Sequence, residues 1–136
     1  GLPHHRSEAT ATLSIAAAAM LVNLWHFIRI VRLRVGSKVI HGDGGHPLLA
    51  HRMRAHANFT ENVPLTLILI AAIELAGRGG QWLAIAGAVY LVARILHGFG
   101  MDAERENLPR AVGMLGTLLV QVGLAAAAVL IALGRI

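Results

Sequence analysis

Residues 54–73 read Arg-Ala-His-Ala-Asn-Phe-Thr-Glu-Asn-Val-Pro-Leu-Thr-Leu-Ile-Leu-Ile-Ala-Ala-Ile, a polar stretch that runs directly into an apolar one. Arg54, Asn58 and Glu61 are spaced i, i+4 and i+7, so on a helix they share one face. An ionisable group at the centre of a membrane helix costs about 2.5–3.5 kcal/mol on insertion scales, and such groups are therefore rarely there without a function. The stretch predicts an integral membrane protein with a charged site, suited to anions, built into its helices.

The composition of the chain agrees with this interpretation. It has 136 residues, of which 56% are hydrophobic and 14% are charged, which is too apolar for an ordinary soluble domain. The formal net charge of +5 is better explained by basic residues at the cytoplasmic ends of membrane helices than by a nucleic-acid partner. The sequence has no cysteine, which excludes disulfides, thiolate metal sites and a cysteine nucleophile. Any thiol chemistry therefore needs a thiol supplied by a substrate.

The distribution of apolar residues predicts four helices, over residues 9–34, 47–76, 82–99 and 109–133. The first helix is long enough to cross a hydrocarbon core of about 30 Å. Only the second half of helix 2 is apolar, so its polar half must lie in the membrane zone, shielded by other helices. The expected fold is an all-α, integral membrane four-helix up-down bundle that forms one domain over residues 9–134. Residues 1–8 are expected to be an N-terminal tail that includes non-native or processed residues.

The basic residues predict the orientation of the bundle. They concentrate after helix 1, at the start of helix 2 and around the loop between helices 3 and 4. The positive-inside rule then places these two loops in the cytoplasm and both termini outside. A lone bundle cannot easily hide so many intramembrane charges from lipid. Oligomerisation, with the site at a subunit interface, would hide them.

The candidate site consists of polar side chains on the cytoplasmic half of the helices. They are Arg32, Arg54, His56, Asn58, Glu61, Arg94, His97 and Arg110. Several arginines in a partly dry cavity make an anion site, because a guanidinium stays charged and binds carboxylates through two parallel hydrogen bonds. Such a site also favours a thiolate over a thiol, so a substrate with carboxylates and a thiol fits. The positive charge of Arg110 is unfavourable in the first turn of helix 4, where the helix dipole is also positive. An anion bound there would offset this repulsion.

Structural roles are the alternative for several of these residues. Arg54 and Glu61 could belong to an ion pair that ties helices together, and Glu61 could pair with Arg32 or Arg94. Arg32 and Arg110 could instead extend to lipid headgroups. These alternatives stay open at the level of sequence.

The histidines do not predict a metal site. His41, His46, His51 and His56 recur every five residues. On a helix, two side chains five residues apart point in directions about 140° apart, so these histidines do not share a face. No HExxH motif or cysteine partner accompanies them, and we predict no bound metal.

The segment Arg54-Ala-His-Ala-Asn58-Phe-Thr-Glu61-Asn-Val-Pro64-Leu resembles the R-x-x-x-N-x-x-E-x-x-P segment of the MAPEG family, the membrane-associated proteins of eicosanoid and glutathione metabolism. Val31-Arg32-Leu-Arg34, and Ala93-Arg94-Ile-Leu-His97 followed by Arg110, resemble further family segments in the same order. The resemblance implies a homotrimer with glutathione as co-substrate, bound at subunit interfaces near the cytoplasmic face. It implies that Arg110 is catalytic and stabilises the thiolate. The cofactor-binding set is then Arg32, Arg54, His56, Asn58, Glu61, Arg94 and His97.

Three positions depart from the family pattern. Asn62 and Met101 stand where many relatives carry tyrosines, and Ala111 replaces a hydroxyl residue of the prostaglandin synthase branch. These differences weigh against a eukaryote-like eicosanoid synthase. The short Ala/Leu-rich helices look more like bacterial members, which predicts a location in a bacterial inner membrane.

The first functional hypothesis is an enzyme, a membrane-bound glutathione-dependent transferase or peroxidase acting on lipophilic electrophiles. Glutathione would enter from the cytoplasm, and the lipophilic small molecule would arrive laterally from the membrane lipid. The alternative is a non-catalytic lipid- or anion-binding membrane protein of the same fold, which the missing tyrosines favour and the retained arginines disfavour. A channel or transporter is a third hypothesis, but Thr117 and Gln121 are too few to line a polar pathway through the apolar halves.

Overall fold

The computed structural model describes residues 9–136, which form four α-helices. They are α1 (Thr10–Ser37), α2 (Pro47–Leu75), α3 (Gln81–Gly100) and α4 (Leu108–Ala132). Each helix is long and apolar enough to cross a membrane. The predicted all-α, integral membrane four-helix bundle is confirmed, and the helix bounds agree closely with the expected ones. The predicted tail, residues 1–8, lies outside the described residues.

Side chains just before α2 and α4 determine where these helices begin. Nδ1 of His46 accepts a hydrogen bond from the Leu49 N–H at 3.2 Å, and Oδ1 of Asn107 accepts one from the Arg110 N–H at 3.0 Å. Each cap is followed by an early proline, whose missing N–H would have no partner within the helix anyway. The Asn107 cap thereby places Arg110 on the first turn of α4.

Helices α3 and α4 form the most extensive contact of the bundle. A Cβ atom at Gly113 would lie 2.5 Å from the carbonyl oxygen of Ala93 and 2.5 Å from the backbone nitrogen of His97, so only glycine permits this approach. Helix α1 packs against α2 and α3. The short connections 38–46, 76–80 and 101–107 make successive helices antiparallel. The close approach of α3 and α4 brings His97 beside the first turns of α4.

The outer surface of the bundle is largely aliphatic. Leu65 and Ile68 of α2, and Leu119 and Val122 of α4, are all exposed in the single chain. So large an apolar surface is untypical of a soluble monomer, whereas in a bilayer these side chains contact lipid or another chain. The homotrimer concerns contacts between chains and stays a prediction.

A buried carboxylate at the end of α2 caps the beginning of α1. Glu74 is 7% exposed, and its two oxygens accept hydrogen bonds from the Ala11 N–H at 3.0 Å and the Thr12 N–H at 2.9 Å. Ala9 at the N-cap position offers no side-chain acceptor, so Glu74 pairs N–H groups that the helix leaves without a partner. Its negative charge is also favourable at the positive end of the helix dipole. Glu74 therefore joins the two helices at the end of the bundle opposite to Arg110.

We expect Glu74→Gln to lower the free energy of unfolding by about 1–2 kcal/mol, because a neutral amide offers one acceptor to two N–H groups. Thermal unfolding in detergent, followed by circular dichroism, measures this change. Glu104→Gln is the matched control, since it makes the same chemical change at an exposed loop residue and should change stability by less than about 0.5 kcal/mol. Equal unfolding midpoints for the two variants would show that the cap does not stabilise the bundle.

Candidate functional site

A cavity of about 450 Å³ opens where α2, α3 and α4 meet. Its polar lining residues are Arg54, Asn58, His97, Glu106 and Arg110. Its apolar lining residues are Met101, Ala111, Met114, Leu115 and Leu118. The charged residues lie toward the end of the bundle, and the apolar ones continue along α4 into the span. The cavity therefore joins a charged mouth to an aliphatic wall.

Arg94 lies behind the wall of this cavity and is only 1% exposed. Its guanidinium donates hydrogen bonds to the side-chain oxygen of Asn58 and, at 3.3 Å, to the hydroxyl of Thr117. Within residues 9–136 no carboxylate lies at ion-pairing distance from Arg94, and its Nε has no hydrogen-bond partner. A buried cation without a counter-ion is costly, and its positive potential favours an anion in the adjoining cavity.

Arg110 faces the cavity from the first turn of α4. Its Nη2 lies 3.6 Å from Oε1 of Glu106, whose side chain is 77% exposed. An exposed ion pair of this kind contributes only about 0–1 kcal/mol, because water competes for both charges. An anionic ligand can therefore replace Glu106 at little cost, which leaves Arg110 available to a negatively charged ligand atom.

The structure brings five of the predicted site residues together: Arg54, Asn58, His97 and Arg110 line the cavity, and Arg94 lies behind it. Arg32 is exposed on α1 and Glu61 is exposed on α2. Neither forms an ion pair within the described part of the chain. Glu61 therefore does not form an ion pair with Arg32 or Arg94 within one chain. The exposed side chains of Arg32 and Glu61 stay accessible to a ligand or to a neighbouring chain.

His56 turns away from the cavity toward α1. Its Nε2 lies 2.8 Å from Oδ1 of Asn23, and its ring stacks on that of His26 with centroids 5.7 Å apart. His56 sits two residues before Asn58, so on a helix the two side chains point in different directions. In the single chain, His56 therefore contributes to the contact between α1 and α2.

An ion cluster that the sequence did not reveal anchors the loop after α3. The carboxylate of Asp102 pairs with Arg29 of α1, and its second oxygen lies 3.5 Å from Nε of Arg52 in α2. Nδ1 of His51 lies 3.1 Å from the Asp102 carbonyl oxygen. The Arg29 guanidinium also stacks over the Trp25 ring, 4.5 Å from its centroid, where a cation is attracted to the aromatic face. These contacts tie the loop that leads to α4 to the other two helices.

A second polar network lies deeper in the bundle, near the middle of the spans. Oδ1 of Asn62 accepts hydrogen bonds from the Tyr90 hydroxyl and, at 3.0 Å, from Nε2 of Gln121. The same nitrogen donates to the Thr66 hydroxyl oxygen at 3.1 Å. In the sequence, Gln121 stands alone in an apolar helix, and no periodicity connects it with α2. The network shows that α2 and α4 are joined by polar contacts within the apolar half of the bundle.

The cavity can bind an anion beside an aliphatic surface. Arg54, Arg94 and Arg110 supply three positive charges in or behind it, against the single carboxylate of Glu106. Nδ1 of His97 is buried and has no hydrogen-bond partner among residues 9–136, so the wall contains a further unpaired polar group. The buried guanidinium of Arg94 interacts more strongly with an anion than it would in bulk solvent, because its surroundings are less polar than water. The neighbouring aliphatic wall suits a second, lipophilic molecule.

Sequence comparisons relate these features to known proteins. A family model described as the MAPEG family matches residues 12–130. Inner membrane protein YecN of Escherichia coli (strain K12) is 32% identical over 90 residues, which cover 66% of this chain and 68% of the relative. Inner membrane protein YecN of Escherichia coli O6:H1 (strain CFT073) matches to the same extent. The region that matches the family contains every residue that lines the cavity.

Proposed function

Because the chain belongs to the MAPEG family, we propose that it is a membrane-bound, glutathione-dependent transferase or peroxidase acting on lipophilic electrophiles. The observation that carries the proposal is the cavity in which Arg54 and Arg110 lie in front of the buried Arg94, which has no counter-ion among residues 9–136. These guanidinium groups suit a ligand with carboxylates and an ionisable thiol, which is the chemistry of glutathione.

In the proposed complex, the polar residues of the cavity divide their roles between a carboxylate and the sulfur of glutathione. Arg54 binds a carboxylate at the mouth, and Asn58 is held in place for the ligand by its hydrogen bond from Arg94. Arg110 holds the sulfur as a thiolate, since a positive charge beside the sulfur favours its ionised form. His97 forms part of the wall against which the same ligand packs.

The proposed transferase reaction begins when the thiol of glutathione ionises and its proton passes to water at the mouth of the cavity. The thiolate then attacks the electrophilic carbon of the lipophilic substrate, and a carbon–sulfur bond forms. The electron pair displaced from that carbon goes to a leaving group or a substrate oxygen, which takes a proton from water. The protein contributes by holding the thiolate and by placing both substrates next to each other.

The proposed location of the site follows from the charges outside the spans. We place the cavity at the cytoplasmic face of a bacterial inner membrane, with both termini outside. In the proposed homotrimer, the exposed side chains of Arg32 and Glu61 lie at subunit interfaces and complete the glutathione site there. The lipophilic substrate enters from the membrane lipid along Met114, Leu115 and Leu118.

A glutathione titration of the detergent-purified protein tests the proposal through the ultraviolet absorbance of the thiolate. We expect a saturable thiolate signal, because the arginines of the cavity favour the ionised thiol. The matched control is 2-mercaptoethanol, which has the thiol without the carboxylates and should give no saturable signal. S-methylglutathione, which lacks the thiol proton, should compete with glutathione and give no signal of its own.

Two outcomes of this titration would contradict the proposed enzyme. Competition between glutathione and S-methylglutathione without a thiolate signal would favour the non-catalytic, anion-binding protein of the same fold. An absence of any glutathione binding would remove glutathione as the ligand of this cavity.

A further inference from the structure

We propose that the cavity at the end of the bundle opposite to Arg110 binds the headgroup of a phospholipid with a primary ammonium group, the phosphatidylethanolamine class. The cavity has a volume of about 510 Å³ and lies between the beginning of α1, the end of α2 and the beginning of α3. Its polar lining includes Ser14, Glu74 and Gln81. Because it lies at the other end of the helices from the proposed glutathione site, the two proposals can be tested independently.

The carboxylate of Glu74 gives this cavity a negative charge that the bundle offsets only in part. Its two oxygens accept hydrogen bonds from the Ala11 and Thr12 N–H groups. The helix dipole behind these N–H groups corresponds to about half a unit charge, and an ionised carboxylate has about four acceptor positions. Within residues 9–136, no cationic side chain lies at ion-pairing distance from Glu74. The carboxylate can therefore accept further hydrogen bonds from a cation in the cavity.

The glycine-rich turn between α2 and α3 leaves space for such a cation. A Cβ atom at Gly79 would lie 3.5 Å from Oε2 of Glu74, so the turn passes beside the carboxylate without covering it with a side chain. Gly77 and Gly80 also line the cavity, and their φ angles of 75° and 126° are ones that other residues rarely adopt. The backbone of the turn thus requires residues that keep the cavity open.

A primary ammonium group suits the acceptors that line the cavity. It donates three hydrogen bonds, and the carboxylate of Glu74, the hydroxyl of Ser14 and the amide of Gln81 each offer an acceptor oxygen. The side chains of Ser14 and Gln81 form no hydrogen bond within residues 9–136. A trimethylammonium group has the same charge but no N–H to donate, and the charge of Glu74 would repel an anionic headgroup. The cavity therefore favours ethanolamine over choline and glycerol headgroups.

Two residues of the turn indicate that the ligand belongs to the membrane surface. Trp82 is partly exposed, and its Nε1 donates a hydrogen bond to the Arg78 carbonyl oxygen at 3.0 Å. Tryptophans with one apolar and one polar side are typical of the headgroup level of a bilayer. The exposed guanidinium of Arg78 forms no ion pair within the described part of the chain, so it is free to contact a lipid phosphate.

The contact between α1 and α3 limits the cavity to a headgroup. One turn beyond Ala84, a Cβ atom at Gly87 would lie 1.9 Å from Cδ1 of Ile15, so the two helices touch there. The acyl chains must then lie outside the bundle, where Leu13 of α1 and Ile85 of α3 are exposed. The cavity thus holds the polar part of the lipid, and the aliphatic surface contacts its chains.

Native mass spectrometry of the detergent-purified protein, titrated with two phospholipids that have identical acyl chains, tests this inference. We expect the first phosphatidylethanolamine per chain to bind with an about tenfold lower dissociation constant than phosphatidylcholine, as one charge-assisted hydrogen bond implies. Glycerophosphoethanolamine, which has the headgroup without acyl chains, should not compete at the same concentration.

Three variants locate the preference. Ala84→Phe should abolish it, because the new side chain fills the cavity and leaves Glu74 in place. Ala88→Phe is the matched control, since it makes the same change at an exposed residue one turn further along α3 that does not line the cavity. Glu74→Gln, measured below its unfolding midpoint, should bind the two phospholipids equally.

Four outcomes would overturn the inference. Equal dissociation constants in the unaltered protein would show that the cavity does not recognise the ammonium group. A preference that survives both Ala84→Phe and Glu74→Gln would place the lipid elsewhere. Equal competition by glycerophosphoethanolamine would make the ligand a soluble amine. A preference that appears only after residues 1–6 are removed would show that the N-terminal segment of the chain itself fills the cavity.

Discussion

We expect Arg110→Leu to lower glutathione-dependent turnover by about 10²–10³-fold, the effect of removing one group that stabilises a developing negative charge. The guanidinium is the only cation on the first turns of α4 that lines the described cavity, and its exposed partner Glu106 does not hold it firmly. Without it, the sulfur of the bound glutathione would be a thiol at neutral pH. The loss of the saturable ultraviolet signal, measured together with turnover, would show that the defect lies in ionisation.

Two variants in the loop that precedes α4 serve as controls for this prediction. Arg105→Leu makes the same chemical change at an exposed residue that does not line the cavity, and it should leave turnover unchanged. Glu106→Gln retains Arg110 and removes its competing partner, so glutathione should saturate the protein at a slightly lower concentration. A normal thiolate signal in Arg110→Leu would assign the stabilisation of the sulfur to another residue.

We expect Arg94→Gln to weaken glutathione binding by about tenfold or more while leaving the unfolding midpoint unchanged or higher. The positive charge of Arg94 lies directly behind the cavity. In surroundings of low polarity, such a charge attracts an anion more strongly than it would in water. The same charge is buried without a carboxylate partner among residues 9–136, so its removal relieves a cost in the unliganded protein. Calorimetric titration and thermal unfolding in detergent measure the two effects separately.

Arg94→Lys separates the charge of this residue from its hydrogen bonds. Lysine keeps the positive charge but cannot reproduce the two donors that now contact Asn58 and Thr117. If the charge attracts the ligand, Arg94→Lys should bind glutathione more tightly than Arg94→Gln. A large drop in unfolding midpoint for both variants, with binding unchanged in the folded fraction, would instead make Arg94 a structural residue.

Much of the candidate site was predictable because it follows the period of a single helix. The spacing of Arg54 and Asn58 placed both on one face of α2, and both line the cavity. Arg110 was singled out by its unfavourable place at the start of a helix, and the Asn107 cap confirms that place. His56 was assigned to the same set, but its position in the helix directs it toward Asn23 of α1. Periodicity therefore identifies a face but does not say which neighbour that face meets.

The contacts that join distant parts of the chain were not predictable in this way. Glu74 caps a helix whose N–H groups are 62 and 63 residues away in the sequence. Asp102 pairs with Arg29 and Arg52, at separations of 73 and 50 residues. Each of these partners is an ordinary charged residue in its own segment. Its role depends on the rotation and relative height of two helices, which no local pattern encodes.

The membrane location, the four helices and their ends follow from the chain alone, since a hydrocarbon core of about 30 Å requires long apolar runs and the loops between them are polar. These features depend only on the composition of each segment and on whether lipid or water surrounds it. They can therefore be predicted without knowing how the helices pack. The convergence of Arg54, Arg94 and Arg110 on one cavity, and the pairing of Asn62 with Gln121, depend on how the helices pack. That packing depends on close contacts such as the one between Gly113 and the backbone of Ala93. A glycine lets two helix backbones approach closely at one point, and this point of contact determines which side chains of the two helices face each other.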